Sequence, residues 1–153
     1  MDCFTEPIER IRQFDPEMAA LAEAEYQRQL HTLCLIVSEN YTSPYASALE
    51  GSILANKNAH GYPDSREVGG CEVVNAIERL AAQRIQKVFG CEHVNLQSMS
   101  ASIANIAVLQ ALLKPGDTIL SLGTDLGGHL SHGAADNLSG MQYRIVQYGF
   151  RRD

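Results

Sequence analysis

Asn95-Leu96-Gln97-Ser98-Met99-Ser100-Ala101-Ser102-Ile103-Ala104-Asn105 joins a run that reads as a strand, His93 to Gln97, to one that reads as a helix, Ser102 to Leu113. The small hydroxylated residues between them leave room for a ligand to approach the backbone. A helix N-terminus carries unpaired N–H groups and the positive end of its dipole, so it suits a phosphate. Ser100 or Ser102 is either a cap for that helix or a phosphate ligand, and the stretch alone leaves both open.

Toward the C-terminus, Lys114-Pro115-Gly116-Asp117 is a turn and Thr118 to Leu122 the next strand. Strand, helix and strand of these lengths make a right-handed crossover with parallel strands. Asp125-Leu126-Gly127-Gly128-His129-Leu130-Ser131-His132-Gly133 follows. Loops after parallel strands share one sheet edge, where ligands bind. The Ser-rich loop and the Gly-Gly-His loop are therefore expected side by side. Two glycines let the backbone come close and aim the His129 imidazole at a flat ligand. Tyr143 to Tyr148 reads as a further strand, with no helix after it. A parallel sheet needs both faces covered, so the chain reads as the first part of something larger.

Toward the N-terminus, Cys71 to Phe89 has helical periodicity. Val73, Val74, Ile77, Leu80, Ala81, Ile85 and Val88 form the expected buried stripe, Glu78, Arg79, Arg84 and Lys87 face water, and Gly90 is the stop. Asn56 to Gly70 has no period; a loop of this length in a compact domain is more often functional than idle. Ser43-Pro44 starts a helix running to about Ala55. Asp15-Pro16-Glu17 starts another, with a modest apolar face suited equally to its own core or to a neighbouring subunit. Residues 1–14 read as an arm with a helical piece from Pro7 to Phe14.

The 153 residues suffice for one domain with a core. A net charge of −6, with no basic run beyond Arg151-Arg152, argues against nucleic-acid and anionic-membrane partners. No apolar run has the length of a membrane span, and the acidic N-terminus lacks a signal-peptide pattern. Cys3, Cys34, Cys71 and Cys91 are scattered without a CxxC pair, which reads as reduced thiols in a cytoplasmic protein. No metal site is expected: His129, His132, Asp125 and Asp136 match no known ligand framework.

A set of short motifs carries a family resemblance. They are Leu35-Ile36-Val37-Ser38-Glu39-Asn40-Tyr41-Thr42-Ser43, Asn56-Lys57, Gly61-Tyr62-Pro63, Gly69-Gly70-Cys71-Glu72, Ala104-Asn105, Leu112-Leu113-Lys114-Pro115-Gly116-Asp117, Gly127 to Gly133, and Asn137-Leu138-Ser139-Gly140. Each is weak alone; in this order and spacing they are specific. Over roughly residues 20–150 the chain resembles the N-terminal part of serine hydroxymethyltransferase, a fold-type I family that uses pyridoxal 5′-phosphate. The resemblance implies an α/β fold: an incomplete fold-type I PLP-transferase large domain, with a parallel-dominated sheet, flanking helices and an N-terminal helical arm. Residues 1–55 would be the helical arm and dimerisation segment, and residues 56–153 the N-terminal half of the PLP-binding large domain.

The resemblance also implies roles. Ser100, Ala101 and Ser102 match the phosphate-binding loop, His129 the histidine that stacks on the pyridine ring, and Ser38 a serine that contacts the amino-acid substrate. The departures fall together. Asn58, a substrate-binding candidate, stands where the family has a tyrosine, and His60 where it has the catalytic glutamate; Ser65-Arg66-Glu67-Val68 replaces Lys-Arg-Tyr-Tyr, whose tyrosines the resemblance places near the neighbouring subunit's cofactor. Histidine also moves protons near neutral pH, so His60 joins His129 as a catalytic candidate. Changes at these positions argue against ordinary turnover of serine with tetrahydrofolate. The family's Schiff-base lysine and the aspartate that pairs with the pyridine nitrogen match nothing here; Lys57, Lys87 and Lys114 fall at other positions.

The favoured reading is the N-terminal subunit of a split PLP enzyme acting at the α-carbon of an amino acid, by aldol-type cleavage or condensation or by hydroxymethyl transfer. A second chain would carry the C-terminal half of the fold and share the cofactor in a hetero-oligomer, and this chain alone would be inactive. The alternatives are a non-catalytic interaction partner of a complete PLP enzyme and a truncated fragment.

Overall fold

The computed structural model describes residues 4–151. The expected reduced thiol of Cys3, and Arg152 of the basic pair, lie outside the described residues. The chain divides into two compact units, Met1–Ala76 and Ile77–Asp153.

In the first unit, α1 (Thr5–Arg12) is laced by Arg10–Glu6 and Arg12–Glu9 ion pairs one turn apart. Its backbone turns at Phe14 and Asp15, whose N–H groups both bond the Ile11 carbonyl. α2 (Pro16–His31) begins as its sequence expects: the Asp15 carboxylate accepts from the Met18 N–H at 3.0 Å, and Pro16 needs no N–H partner. The two helices pack at Ile8 and Ala19, the latter fully buried; a methyl side chain lets the backbones approach. Met18, Leu21, Leu30 and Leu33 of the expected apolar face are exposed.

α3 (Pro44–Glu50) starts at the Ser43 cap but stops well before Ala55. The Ser52 hydroxyl donates to the Leu49 carbonyl at 2.7 Å and accepts from the Leu54 N–H, which ends one helix and opens a separate 3-10 turn over Ile53–Asn56. The segment expected to lack regular structure holds a small hairpin, β1 (Gly61–Tyr62) antiparallel to β2 (Ser65–Arg66). Pro63 and Asp64 form its turn. Asp64 takes the positive φ of 69° that a type II turn requires at its second central residue, and aspartate tolerates it.

α4 (Glu72–Phe89) carries residues of both units. Gly90, at φ 63°, and the bond from the Cys91 N–H to the Gln86 carbonyl close it as a Schellman cap. The expected buried stripe is not buried: no α4 residue is, and Val73, Ile77, Leu80 and Val88 are exposed. Val74, Ala81 and Ile85 are half-buried, and no described residue buries the stripe further.

In the second unit, the strand expected at 93–97 is absent. The segment is irregular, with the Asn95 carboxamide oxygen accepting from the Gln97 N–H and the Gln97 carboxamide donating to Glu78 Oε1 at 2.9 Å. α5 (Ala101–Leu112) follows. The parallel pair is instead β3 (Thr118–Leu122) with β4 (Arg144–Tyr148), in register from Thr118↔Arg144 to Leu122↔Tyr148. Their crossover contains 3-10 turns at Thr124–Leu126 and Leu130–His132 and the short α6 (Leu138–Gln142). On one face Ile119, Ser121 and Ile145 are buried or half-buried beneath this crossover, while Gln147 at its end is exposed. Leu120 and Val146, register partners on the opposite face, are 67% and 43% exposed.

Candidate functional site

The N-terminus of α5 settles which serine is the cap. Ser100 is extended at φ −156°, and its hydroxyl accepts from the Ile103 N–H at 3.2 Å. Ala101 and Ser102 then occupy the first turn, where backbone N–H groups have no carbonyl one turn earlier in the helix. Their small side chains leave this end open, which suits an anionic group such as a phosphate.

The loop after β3 is shaped by its glycines. Gly127 has φ 100°. Gly128 donates its N–H to the Gly123 carbonyl at 3.0 Å and lies so close to the Leu122 carbonyl that a β-carbon would collide with it. Gly133, at φ 118°, packs against the Ile145 side chain. Between these glycines His129 opens the 3-10 turn.

One network ties this loop to α5. Asn105 donates from Nδ2 to Ser131 Oγ at 2.8 Å, and Ser131 Oγ lies 2.8 Å from His129 Nδ1. The Ser131 N–H also points at Nδ1, at 3.3 Å. Nδ1 therefore accepts, the Ser131 hydroxyl donates to it, and a neutral His129 carries its proton on Nε2. Ser131 is fully buried while His129 is exposed, so the orienting bond is dry and the imidazole accessible. The His132 ring meets His129 edge-on, with centroids 6.2 Å apart. α5 and the histidine loop are thus joined through side chains, although the strand at 93–97 on which the sheet-edge argument rests is absent. The residues that join them, Asn105 and Ser131, stand in the sequence only as motif letters, because no spacing rule links an amide and a hydroxyl 26 positions apart.

In the first unit, Ser38 lies on an exposed turn. The next residues, Glu39 to Thr42, line an open groove of about 1070 Å³ together with Tyr26 and Arg28 of α2. Cys34 donates its thiol to Glu39 Oε2 at 2.8 Å beside this groove. Asn58 and His60 lie on the approach to the hairpin. Arg66 is the hub there: Nη1 donates to the Ala59 carbonyl at 2.6 Å and to the Gly61 carbonyl, and Nε donates to Asn75 Oδ1 of α4 at 2.8 Å. Lys57 Nζ donates to the Gly69 carbonyl at 2.8 Å, and the buried Cys71 thiol to the Val68 carbonyl at 3.3 Å. Arg66 and Cys71 were not singled out from the sequence as site-shaping residues, since their partners are backbone carbonyls that any residue type provides.

Comparison with known proteins adds a family. A family model for serine hydroxymethyltransferase matches residues 11–153. The chain is 52% identical over 140 residues to the serine hydroxymethyltransferase of Halorhodospira halophila, covering 92% of this chain and 34% of that protein. With the serine hydroxymethyltransferase of Myxococcus xanthus it shares 49% identity over 148 residues, covering 97% of this chain and 35% of the relative. The chain spans about a third of the length of the curated relatives it matches.

Proposed function

The chain belongs to the serine hydroxymethyltransferase family, and from that premise we propose that it is the N-terminal subunit of a split enzyme that binds pyridoxal 5′-phosphate and acts at the α-carbon of an amino acid. The observation that carries this reading is the Asn105–Ser131–His129 network, which braces an anion-ready helix end against an oriented imidazole. Ser100, Ala101 and Ser102 hold the phosphate, through the first-turn N–H groups of α5, and His129 lies against the ring. When bound, the cofactor supplies an electron-withdrawing ring that draws charge from the α-carbon. Ser38 and Asn58 bind the amino acid, and His60 accepts or returns a proton at the substrate.

A second chain supplies the lysine that anchors the cofactor and the acid that pairs with its ring nitrogen. Two observations support this. Lys57 is committed to the Gly69 carbonyl, and Lys87 and Lys114 sit exposed on a helix end and in a turn. The bare β3–β4 face with Leu120 and Val146, and the exposed stripe of α4, are apolar surfaces of the kind a covering partner buries. The assembly is a cytoplasmic hetero-oligomer; the free thiols of Cys34, Cys71 and Cys91 fit a reducing compartment. The substitutions at Asn58, His60, Glu67 and Val68 favour an amino acid other than serine with tetrahydrofolate, in an aldol-type cleavage or condensation or a hydroxymethyl transfer.

The test is to express this chain alone and with its genomic neighbours, isolate it, and record the visible spectrum after adding pyridoxal phosphate. The expected result is a co-purifying partner and a yellow complex whose cofactor band weakens in His129→Ala. The same exposed faces also suit a non-catalytic role beside a complete enzyme. That reading gains if the chain binds such an enzyme without changing its cofactor content, and the split-enzyme proposal then fails.

A further inference from the structure

His60 and Glu67 occupy the two ends of the β1–β2 hairpin, and both are departures from the family pattern. They meet: His60 Nδ1 lies 3.1 Å from Glu67 Oε2. The backbone beneath the pair is fixed from several sides. The Glu67 N–H donates to the His60 carbonyl at 3.1 Å, so the two residues are bonded through main chain and side chain alike. Arg66 holds the carbonyls of Ala59 and Gly61, the residues on either side of His60, and is itself anchored on Asn75 of α4. Gly61 packs against the Ser65 carbonyl so closely that no β-carbon fits. The imidazole and the carboxylate are thus presented from one braced turn of chain, with both side chains about two-thirds exposed, where a ligand can reach them.

We infer that Glu67 is a positioning residue for His60: its carboxylate holds the imidazole with the proton on Nδ1 and leaves Nε2 as an open proton acceptor. An ionised carboxylate can only accept, so the nitrogen facing it must be the one that carries hydrogen when the ring is neutral. The other nitrogen then presents its lone pair away from Glu67. This arrangement is the reverse of His129, whose Nδ1 accepts from Ser131 and whose proton sits on Nε2. The chain therefore offers one imidazole set to donate and one set to accept. The inference deepens the reading of His60 as the proton-transfer group and rests on it for its catalytic meaning. The tautomer itself follows from the hairpin alone.

The experiment is long-range ¹H–¹⁵N correlation of the histidine rings in the full chain, well above the ordinary imidazole pKa. The His60 resonances are assigned by their loss in His60→Gln. The expected spectrum shows His60 Nδ1 as the protonated nitrogen and Nε2 as the bare one. Glu67→Ala should move both toward the values of a free ring, while Glu67→Gln, whose carboxamide oxygen still accepts, should retain the wild-type pattern. A wild-type His60 with its proton on Nε2, or one unchanged by Glu67→Ala, overturns the inference. The readout needs neither cofactor nor partner. A yellow complex with the wrong His60 tautomer defeats only the role of Glu67, and the expected tautomer in a chain that captures no partner and no cofactor defeats only the split-enzyme reading.

Discussion

Asn105 Nδ2 and Ser131 Oγ lie 2.8 Å apart, joining α5 to the loop after β3 across 26 residues of sequence. Ser131 has no solvent to replace a lost partner. Ser131→Ala removes the partner of the Asn105 amide and the hydroxyl donor to His129 Nδ1 together. The expected cost is about 1 kcal/mol, the net worth of an ordinary hydrogen bond, because Asn105 is half-buried, His129 is exposed and the Ser131 N–H still reaches Nδ1. Urea unfolding of the single and double alanine variants of Asn105 and Ser131 checks it. The two should be strongly non-additive, because either substitution removes the same bond.

Ser100 serves as a cap and stands at the proposed phosphate seat, and two substitutions separate these roles. Ser100→Ala should cost about 1 kcal/mol of stability through the lost bond to the Ile103 N–H. Ser100→Asp keeps a capping oxygen, so stability should hold, but its charge repels a phosphate. Thermal unfolding with and without pyridoxal phosphate reads both. Retained cofactor affinity in Ser100→Asp would count against a phosphate at this helix end.

A methyl group at Gly128 would meet the Leu122 carbonyl, whereas one at Gly69 meets nothing within 4 Å. Gly128→Ala is expected to destabilise by about 1–3 kcal/mol, as overpacking does, and to displace His129. Gly69→Ala is the matched control and should leave the unfolding midpoint near wild type. Equal effects from the two substitutions would mean that the loop after β3 does not pack as described.

Glu25 on α2 accepts from Arg28 at 2.7 Å on both oxygens and from Gln29 at 2.8 Å. The Arg28 hydrogen bond first, and Gln29 second, hold its carboxyl at about 2, below the ordinary 4.5. A group depressed on folding contributes fully above its unfolded pKa and loses that contribution as pH falls through the folded one. The window is thus from about 4.5 down to about 2. Acid titration of the helical circular dichroism should show wild type and Glu25→Gln converging across that window. The separation should be small, since the pair is exposed and screened by water.

Leu120 and Val146 face the same way from adjacent strands. Replacing Val146 by Glu should leave the isolated chain's stability within about 0.5 kcal/mol, because that face is open, yet abolish capture of a covering chain. A pull-down in parallel with thermal unfolding separates the two effects. Undiminished capture would place the partner elsewhere.

Local chemistry made much of this protein legible in its sequence. Asp15-Pro16, Ser43-Pro44 and Gly90 mark helix ends because their side chains, or the lack of one, act on the neighbouring backbone. The glycine-histidine loop and the serine loop also stood out, and the order of motifs pointed to the family that the comparisons show. Tertiary structure decided what pairs with what. Residues 93–97 have strand-like composition yet are irregular, held by side-chain bonds, while β3 finds β4 across a crossover that periodicity does not reveal. The α4 stripe reads as core, but burial depends on a covering surface and not on the stripe itself. The contacts that orient His129 and His60 come from Ser131 and Glu67, each a side chain whose effect depends on where the fold brings its partner.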